Sequence, residues 1–262
     1  MAHTKKVPVS VFIIAMNEAD RIGRTLESVI DWADDIVVVD SGSQDDTVAI
    51  SQSHGAKTFF NAWQGYGQQK RFAESVCKNN WVLNIDADEQ VSADLRNEIV
   101  QMFAIGEPPF AAYTVQRVEI LKFQRKPRPW SHVTNWVRLY RRDHAGFRNH
   151  AVHDTVEVRM GKLGDLNGRL YHNSFRSYSH QLDKINAYTS LQARDLFNAG
   201  RKPSWLKLMI TPPLAFLKAL LIRRMILFGI DGIVESYFYS FSRLVRLAKT
   251  RELYRLAEKK RK

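Results

Sequence analysis

The chain has 262 residues, 45% of them hydrophobic and 25% charged, an ordinary globular range that argues against disorder and leaves room for one large α/β domain or a core domain with an appendage. A single cysteine, Cys77, excludes an internal disulfide and fits a reducing compartment; Lys78, Asn79 and Asn80 beside it give it no catalytic context. The net charge is +12, but residues 201–262 hold 15 Lys/Arg against 4 Asp/Glu, while residues 1–200 hold 24 against 23, so the basic excess belongs to the C-terminal segment.

Residues 1–8 are short and polar and lack the apolar core of a signal peptide, which argues against export by that route. Val9 to Ala15 is a nearly continuous apolar and β-branched run, predicting a strand buried on both faces. Asn17-Glu18-Ala19-Asp20 offers helix-start chemistry, with Ile22, Leu26, Val29 and Ile30 following at helical spacing. Asp35 to Asp40 reads as a second buried strand, Ser41-Gly42-Ser43 as a tight turn, and 45–53 as a helix stopped by His54-Gly55. A third strand at 57–60, a helix at 68–77 and a fourth strand from Trp81 to Ile85 follow. That strand ends on Asp86-Ala87-Asp88, and Ser92 caps a helix carrying Leu95, Ile99 and Met102.

This β-α-β-α-β-α-β run with short connections implies an α/β fold with a doubly wound, mostly parallel sheet and right-handed crossovers. Ligands of such sheets bind beyond the C-terminal strand ends. Three polar clusters lie at those ends: Asn17-Glu18, Asp40 to Ser43, and Asp86 to Asp88. They are expected to converge on one crevice. Residues 110–175 change character: strand-like pieces at 112–117, 136–140 and 155–159 alternate with loops rich in Arg, Trp and His. Residues 179–200 read as an amphipathic helix.

From Trp205 onward, apolar runs alternate with cations. Lys218 and Arg223-Arg224 interrupt them, and Pro212-Pro213 is expected to break the first. None of the runs reaches the ~18 unbroken apolar residues of a spanning helix. Short apolar stretches flanked by cations, with Tyr237, Phe238, Tyr239 and Phe241 near by, fit a helix lying on an anionic bilayer. The alternative is a helical cap with a solvated basic face.

Asp86 and Asp88, spaced i and i+2 on a turn leaving a buried strand, can share one Mg²⁺ or Mn²⁺ with substrate phosphates. Alone, such a triplet is better explained by a solvated acidic turn; its place after the fourth strand, in register with Asp40, favours the metal. Asp40 can accept hydrogen bonds from a base or ribose, and Gly42 permits close backbone approach. Ser43 belongs to the same motif, with helix N-cap as the alternative for it or Asp45. Lys70 or Arg71 can face a diphosphate or be a solvated helix charge. A phosphatase-type aspartate pair belongs after the first strand, where this chain has Ala15-Met16-Asn17-Glu18. The Gly-rich basic loop of a nucleotidyltransferase is missing from the same place. Trp130, Trp136, Arg138 and neighbouring arginines suit an anionic, phosphorylated glycolipid acceptor; a basic surface over two core tryptophans is the alternative. Single-stranded nucleic acid also likes such a mixture, but no nucleic-acid motif accompanies it, so none is expected as a partner.

Taken together, Val11 to Glu18, Trp32 to Ser43 with Asp46-Thr47, Gln69 to Ala73 and Trp81 to Glu89 resemble the family 2 glycosyltransferases of the GT-A fold. Through Val152-His153-Asp154 and Tyr171-His172-Asn173 into the basic tail, the chain resembles the bacterial lipopolysaccharide inner-core β-1,4-glucosyltransferase subgroup. The resemblance implies a GT-A catalytic domain over 1–200, with a nucleotide-sugar half (1–105) and an acceptor half (106–200). A basic, amphipathic, membrane-associating helical extension then covers 201–262. It implies that Ala15, Asn17, Glu18 and Asp40 hold the uridine end of a UDP-sugar, and that Asp86 and Asp88 hold metal and diphosphate. His172 becomes a third metal ligand. Asp154, where the subgroup has Glu, becomes the base of an inverting transfer, with His153 as the fallback. UDP-glucose, an inner-core heptose on an anionic glycolipid, and a place on the inner face of the bacterial inner membrane come from the subgroup alone. Another cell-surface glycan, or a non-catalytic nucleotide-sugar or membrane module, are the alternatives. The sequence sets no oligomeric state.

Overall fold

A computed structural model describes residues 6–122, 124, 126–148 and 155–259. In chain order the elements are β1 (Val7–Ala15), α1 (Ile22–Glu27), β2 (Ala33–Asp40), α2 (Thr47–Ser53), β3 (Lys57–Phe60), α3 (Tyr66–Ser75), β4 (Trp81–Asn84), β5 (Glu89–Val91) and α4 (Ala93–Ile105). Then come β6 (Ala112–Glu119), β7 (Val133–Arg141), β8 (Ala145–Phe147), β9 (Val156–Val158), β10 (Leu163–His172), α5 (Tyr178–Asn198) and α6 (Trp205–Leu217). A π-helical turn (Lys218–Ile222) and a 3-10 turn (Met225–Phe228) lead into α7 (Ile230–Lys259).

Eight strands form one sheet in the order β3-β2-β1-β4-β7-β6-β10-β5; β8 and β9 form a separate ribbon. β3, β2, β1 and β4 are parallel, as are β6 and β10, while β7 and β5 run against their neighbours. The fold is thus the mixed, mostly parallel α/β sheet expected. β1 shows why its sequence lacks alternation: Val9, Val11 and Ile13 enter the core with Leu26, Leu95 and Ile99, while Phe12 enters the opposite one with Ala73 and Tyr140.

Several expectations shift. Asn17 to Asp20 does not start a helix: Asn17 is left-handed (φ 56°), and α1 begins at Ile22. β5, β8 and β10 were not expected. In β10 the inward positions are Gly164, Leu166, Gly168 and Leu170, and two glycines erase the apolar alternation that marks a strand. Gly168 has a reason to be glycine, since a Cβ there would stand 2.2 Å from Leu95 Cα. Pro212 and Pro213 do not break their helix; both lie inside α6.

The chain forms two compact units, Met1–Glu119 with Val133–Asn173, and Ile120–His132 with Ser174–Lys262. In the second unit, Lys122 donates to Gln181 (2.6 Å) and pairs with Glu235 beneath the Tyr178 ring, while Lys249 donates to Asn186 and Thr189 of α5. Helix α5 therefore groups with α6 and α7, so the expected boundary at residue 200 marks a change of composition, not the division between compact units.

In the first unit Asp35 ties four segments together. Its carboxylate accepts from Ser10 Oγ (2.7 Å), Lys57 Nζ (2.8 Å) and the Lys78 N–H (2.8 Å). Burial opposes its charge, but these three donors outweigh it and hold the carboxyl below its usual range. Such a group stabilises the fold above its unfolded pKa, and the benefit is lost as pH falls through the lower, folded one. Asp35→Ala is expected to cost about 2–4 kcal/mol at neutral pH, because the buried Ser10 hydroxyl, the Lys78 N–H and the Lys57 ammonium lose their shared acceptor. Urea denaturation of both proteins should show the gap closing as the solution is acidified below the carboxylate range.

Candidate active site

The loops leaving β1 and β2 form one network. Ala15 and Asp40 are register partners, and the Ser41 N–H donates to the Ala15 carbonyl at 3.0 Å. The Asp40 carboxylate accepts from the Gly42 and Ser43 N–H groups, both at 2.8 Å, and from the Ser43 hydroxyl. Gly42 sits at φ 107°, a conformation that favours glycine. The Asn17 N–H donates to Ser43 Oγ (2.8 Å), Gln44 N–H donates to Asn17 Oδ1 (2.8 Å), and Glu18 N–H donates to Thr47 Oγ1 (2.7 Å). Ala15, Asn17, Glu18, Asp40 and Ser43 are thereby brought together, with the Ser43 hydroxyl as the link between the two loops.

The acidic turn after β4 is pinned from several sides. Asp86 N–H donates to Glu89 Oε2 (2.9 Å), Thr25 Oγ1 donates to the Ala87 carbonyl (2.8 Å), and Asn173 N–H donates to the Asp88 carbonyl (3.0 Å). Lys70, 1% exposed, reaches Asp86 Oδ1 at 2.9 Å. Arg138 donates to Asn84 (2.7 Å) and Glu89 (2.8 Å) and stands 3.3 Å from Asp86. Arg21 bridges two clusters, binding Glu18 at 2.8 Å through Nε and lying 3.4 Å from Asp88 through Nη1. Burial works against charge on Asp86, but Lys70 and Arg138 overcome it and hold the carboxyl far below its usual range. For Glu89, fully buried, burial wins and its carboxyl is pushed up despite Arg138.

His172 ends β10, and the antiparallel pairing of β5 with β10 sets it opposite Glu89. Its Nε2 faces Asp88 Oδ1 at 3.4 Å and its Nδ1 meets Glu119 at 2.9 Å. Burial disfavours the imidazolium, but Glu119 and Asp88 prevail and push its pKa up to about 10. Among the described residues, no three His, Cys, Asp or Glu side chains converge as a ready-made metal cage. The pair Asp88 and His172 fits a divalent ion once that ion displaces the proton on Nε2, the nitrogen that faces Asp88. Glu119 already orients the imidazole from behind, as outer carboxylates do at metal sites. Mg²⁺ and Mn²⁺ commonly take one or two protein ligands and complete their shell with phosphate and water.

Beside Asp86 opens a cavity of about 310 Å³, lined by Arg117, Asn135, Trp136, Arg138 and Thr155 among others. The Arg117 guanidinium lies 5.7 Å from the centre of the Trp136 ring and 3.2 Å from Glu119. Arg138, expected as an acceptor contact, lines this cavity but is buried as a brace between Asp86 and Glu89. Trp130 belongs to the second compact unit, where its ring meets Phe228 edge-on at 6.3 Å. The expected bases His153 and Asp154 lie outside the described residues.

Sequence reasoning missed Arg21, Glu89, Arg117 and Glu119. Only Arg21 and Glu89 left a trace, each three residues after an acidic site residue, Glu18 and Asp86. A buried glutamate has no periodicity of its own to announce it.

Residues 10–161 match the model of the glycosyl transferase family 2. The chain belongs to that family. A relative named "Uncharacterized glycosyltransferase RT0209", from Rickettsia typhi, is 42% identical over 94% of this chain and 87% of its own length. The "Lipopolysaccharide core biosynthesis glycosyltransferase LpsC" of Rhizobium meliloti is 32% identical over 88% of this chain and 87% of its own length. A solved structure of S. aureus TarS 1-349 in complex with UDP-GlcNAc aligns at a TM-score of 0.49 and 13% identity, over 95% of this chain and 92% of that one. The family 2 membership expected from the sequence stands, as does the mostly parallel α/β sheet.

The charge compensation around Glu89 is open to test. Arg138→Ala would leave a buried carboxylate without its guanidinium, and the expected loss is about 3–5 kcal/mol in urea denaturation. Adding Glu89→Gln to that variant should recover part of the loss, since a neutral amide no longer needs the cation.

Proposed function

We propose that this family 2 glycosyltransferase is an inverting, divalent-metal-dependent enzyme. It moves glucose from UDP-glucose to a heptose of an anionic lipopolysaccharide inner-core glycolipid, on the cytoplasmic face of the bacterial inner membrane. The observation that carries the reading is the joining of Asp40, Asp86 and Asp88 at the C-terminal strand ends into one hydrogen-bonded and ion-paired cleft, with buried Lys70 against Asp86. The glycolipid acceptor draws support from the printed name of the LpsC relative and from the cationic Arg117 in the cavity beside Asp86.

In this reading Ala15, Asn17, Glu18, Asp40 and Ser43 hold the uridine end of the donor. Asp86, Asp88 and His172 would hold Mg²⁺ or Mn²⁺, which supplies positive charge to the leaving diphosphate. Lys70 adds a second cation there. Arg117 and Trp136 form a basic and aromatic wall suited to a phosphorylated sugar. The Asp154 carboxylate takes the proton of the acceptor hydroxyl, whose oxygen attacks the anomeric carbon on the face opposite the diphosphate. The sugar–phosphate bond breaks and UDP departs. Positioning and fixed charge carry most of the rate.

Calorimetry with a panel of nucleotide-sugars, with and without Mn²⁺, tests the donor. One UDP-sugar should bind, with metal, and Asp88→Asn should lose both that binding and turnover while keeping the circular dichroism of the parent. Absence of nucleotide binding by folded protein under every metal condition would refute the reading. Asp154→Asn should cut turnover by roughly 10²–10⁴-fold and keep donor affinity. An active Asp154→Asn beside a dead His153→Ala would move the base to His153.

A further inference from the structure

We propose that α6 and the two turns after it insert sideways into one leaflet of an anionic bilayer, without crossing it. The proposal rests on the membrane-surface part of the reading above and not on the sugar chemistry.

The face of α6 turned to α7 buries Ala215 and Ala219, and the Ser240 hydroxyl of α7 donates to the Pro212 carbonyl at 2.8 Å. At 100° per residue, the opposite side of the helix is Leu206, Ile210, Leu214, Leu217 and Leu221. All five are exposed, between 45% and 58%. The ridge continues past the π-helical turn into Ile226, in the 3-10 turn, which is also exposed. So much contiguous apolar surface on one side is a docking face and not scattered exposure.

Length alone would allow a crossing: Trp205–Ile222 is an 18-residue helical stretch of mean hydropathy 1.5, only 11% buried. The helix passes through Pro212-Pro213 unbroken, but Lys207 and Lys218 interrupt the stretch, so no run of ~18 unbroken apolar residues exists in it. Two observations place it in the interface instead. Lys207 and Lys218 are eleven residues apart, three helical turns, so both lie on one flank of the ridge. With the helix flat, both ammonium groups reach headgroups at the same depth; upright, they would stand ~16 Å apart in depth, one of them inside hydrocarbon. The other side of α6 is covered by α7, whose Glu235 is tied to Lys122 and Gln181, so lipid cannot surround the helix.

The occupant follows from charge. Residues 201–262 carry fifteen cations against four acids, and Arg223 and Arg224 sit between the ridge and Ile226. A second copy would bring an equally basic segment against this one, whereas anionic phospholipid complements it.

The test uses the full chain with an environment-sensitive fluorophore on Leu217→Cys or Leu221→Cys; buried Cys77, its thiol pushed up to about 12, stays unlabelled. Ile105→Cys, 91% exposed on α4, is the control. With phosphatidylethanolamine/phosphatidylglycerol vesicles, the α6 probes should shift to the blue, the control should not, and bromines near the headgroup end of the acyl chains should quench more than bromines at their ends. Leu217→Asp with Leu221→Asp should weaken vesicle binding roughly tenfold or more at high salt, with circular dichroism and nucleotide binding unchanged. Strongest quenching from the chain ends would mean a crossing helix and overturn the proposal. Salt-sensitive binding with no blue shift would reduce the contact to charge alone, sinking the insertion while the membrane-surface reading stands. A blue shift without lipid, accompanied by dimers in sedimentation, would assign the ridge to a second copy. Vesicles left unbound by protein that still binds its nucleotide would sink both membrane statements and leave the transferase reading intact.

Discussion

The arrangement on which the cleft depends is the interleaving of buried charge. Glu18, Asp86, Asp88, Glu89 and Glu119 are threaded between Arg21, Lys70, Arg117, Arg138 and His172. Five acids meet five bases, so no carboxylate faces low dielectric alone. On the proposed reading, a divalent cation and a diphosphate enter together as opposite charges. They exchange partners with the resident ions, and His172 gives up its proton as it turns from Asp88 to the metal.

That interleaving is a product of topology. The bases come from the helix before β4, from β6, β7 and the end of β10, and from the loop before α1, while most of the acids ride on the short path from β4 into β5. Antiparallel β7, inserted between β4 and β6, carries Arg138 under the acidic turn. β5 folds back on β10 and so sets His172 opposite Glu89. A purely parallel sheet would have kept these groups on separate strands of the same edge.

The parallel half of this design was legible in the sequence because unbroken apolar strands and polar strand ends are strong local signals. Asp40, Asp86 and Asp88 could be found that way. The antiparallel half was not. β10 hides behind glycines that make room for α4, and three-residue strands such as β5 have too few side chains to show a period. Arg138 was visible as one arginine in a basic stretch, but its burial depends on β7 pairing, which no local pattern encodes. The helix through Pro212-Pro213 was misjudged for a related reason: proline is disfavoured in a helix, yet packing against α7 and a donated hydroxyl from Ser240 hold the turn in place.

The large sheet begins with β3, four residues long, and ends with β5, three residues long. Edges this short offer few free backbone groups, so an approaching chain cannot extend the ladder far. The exposed apolar ridge lies on a helix and not on a strand edge. Association through that ridge is therefore side chain against side chain: a contact that detergent or lipid can reverse, and not one that grows strand upon strand.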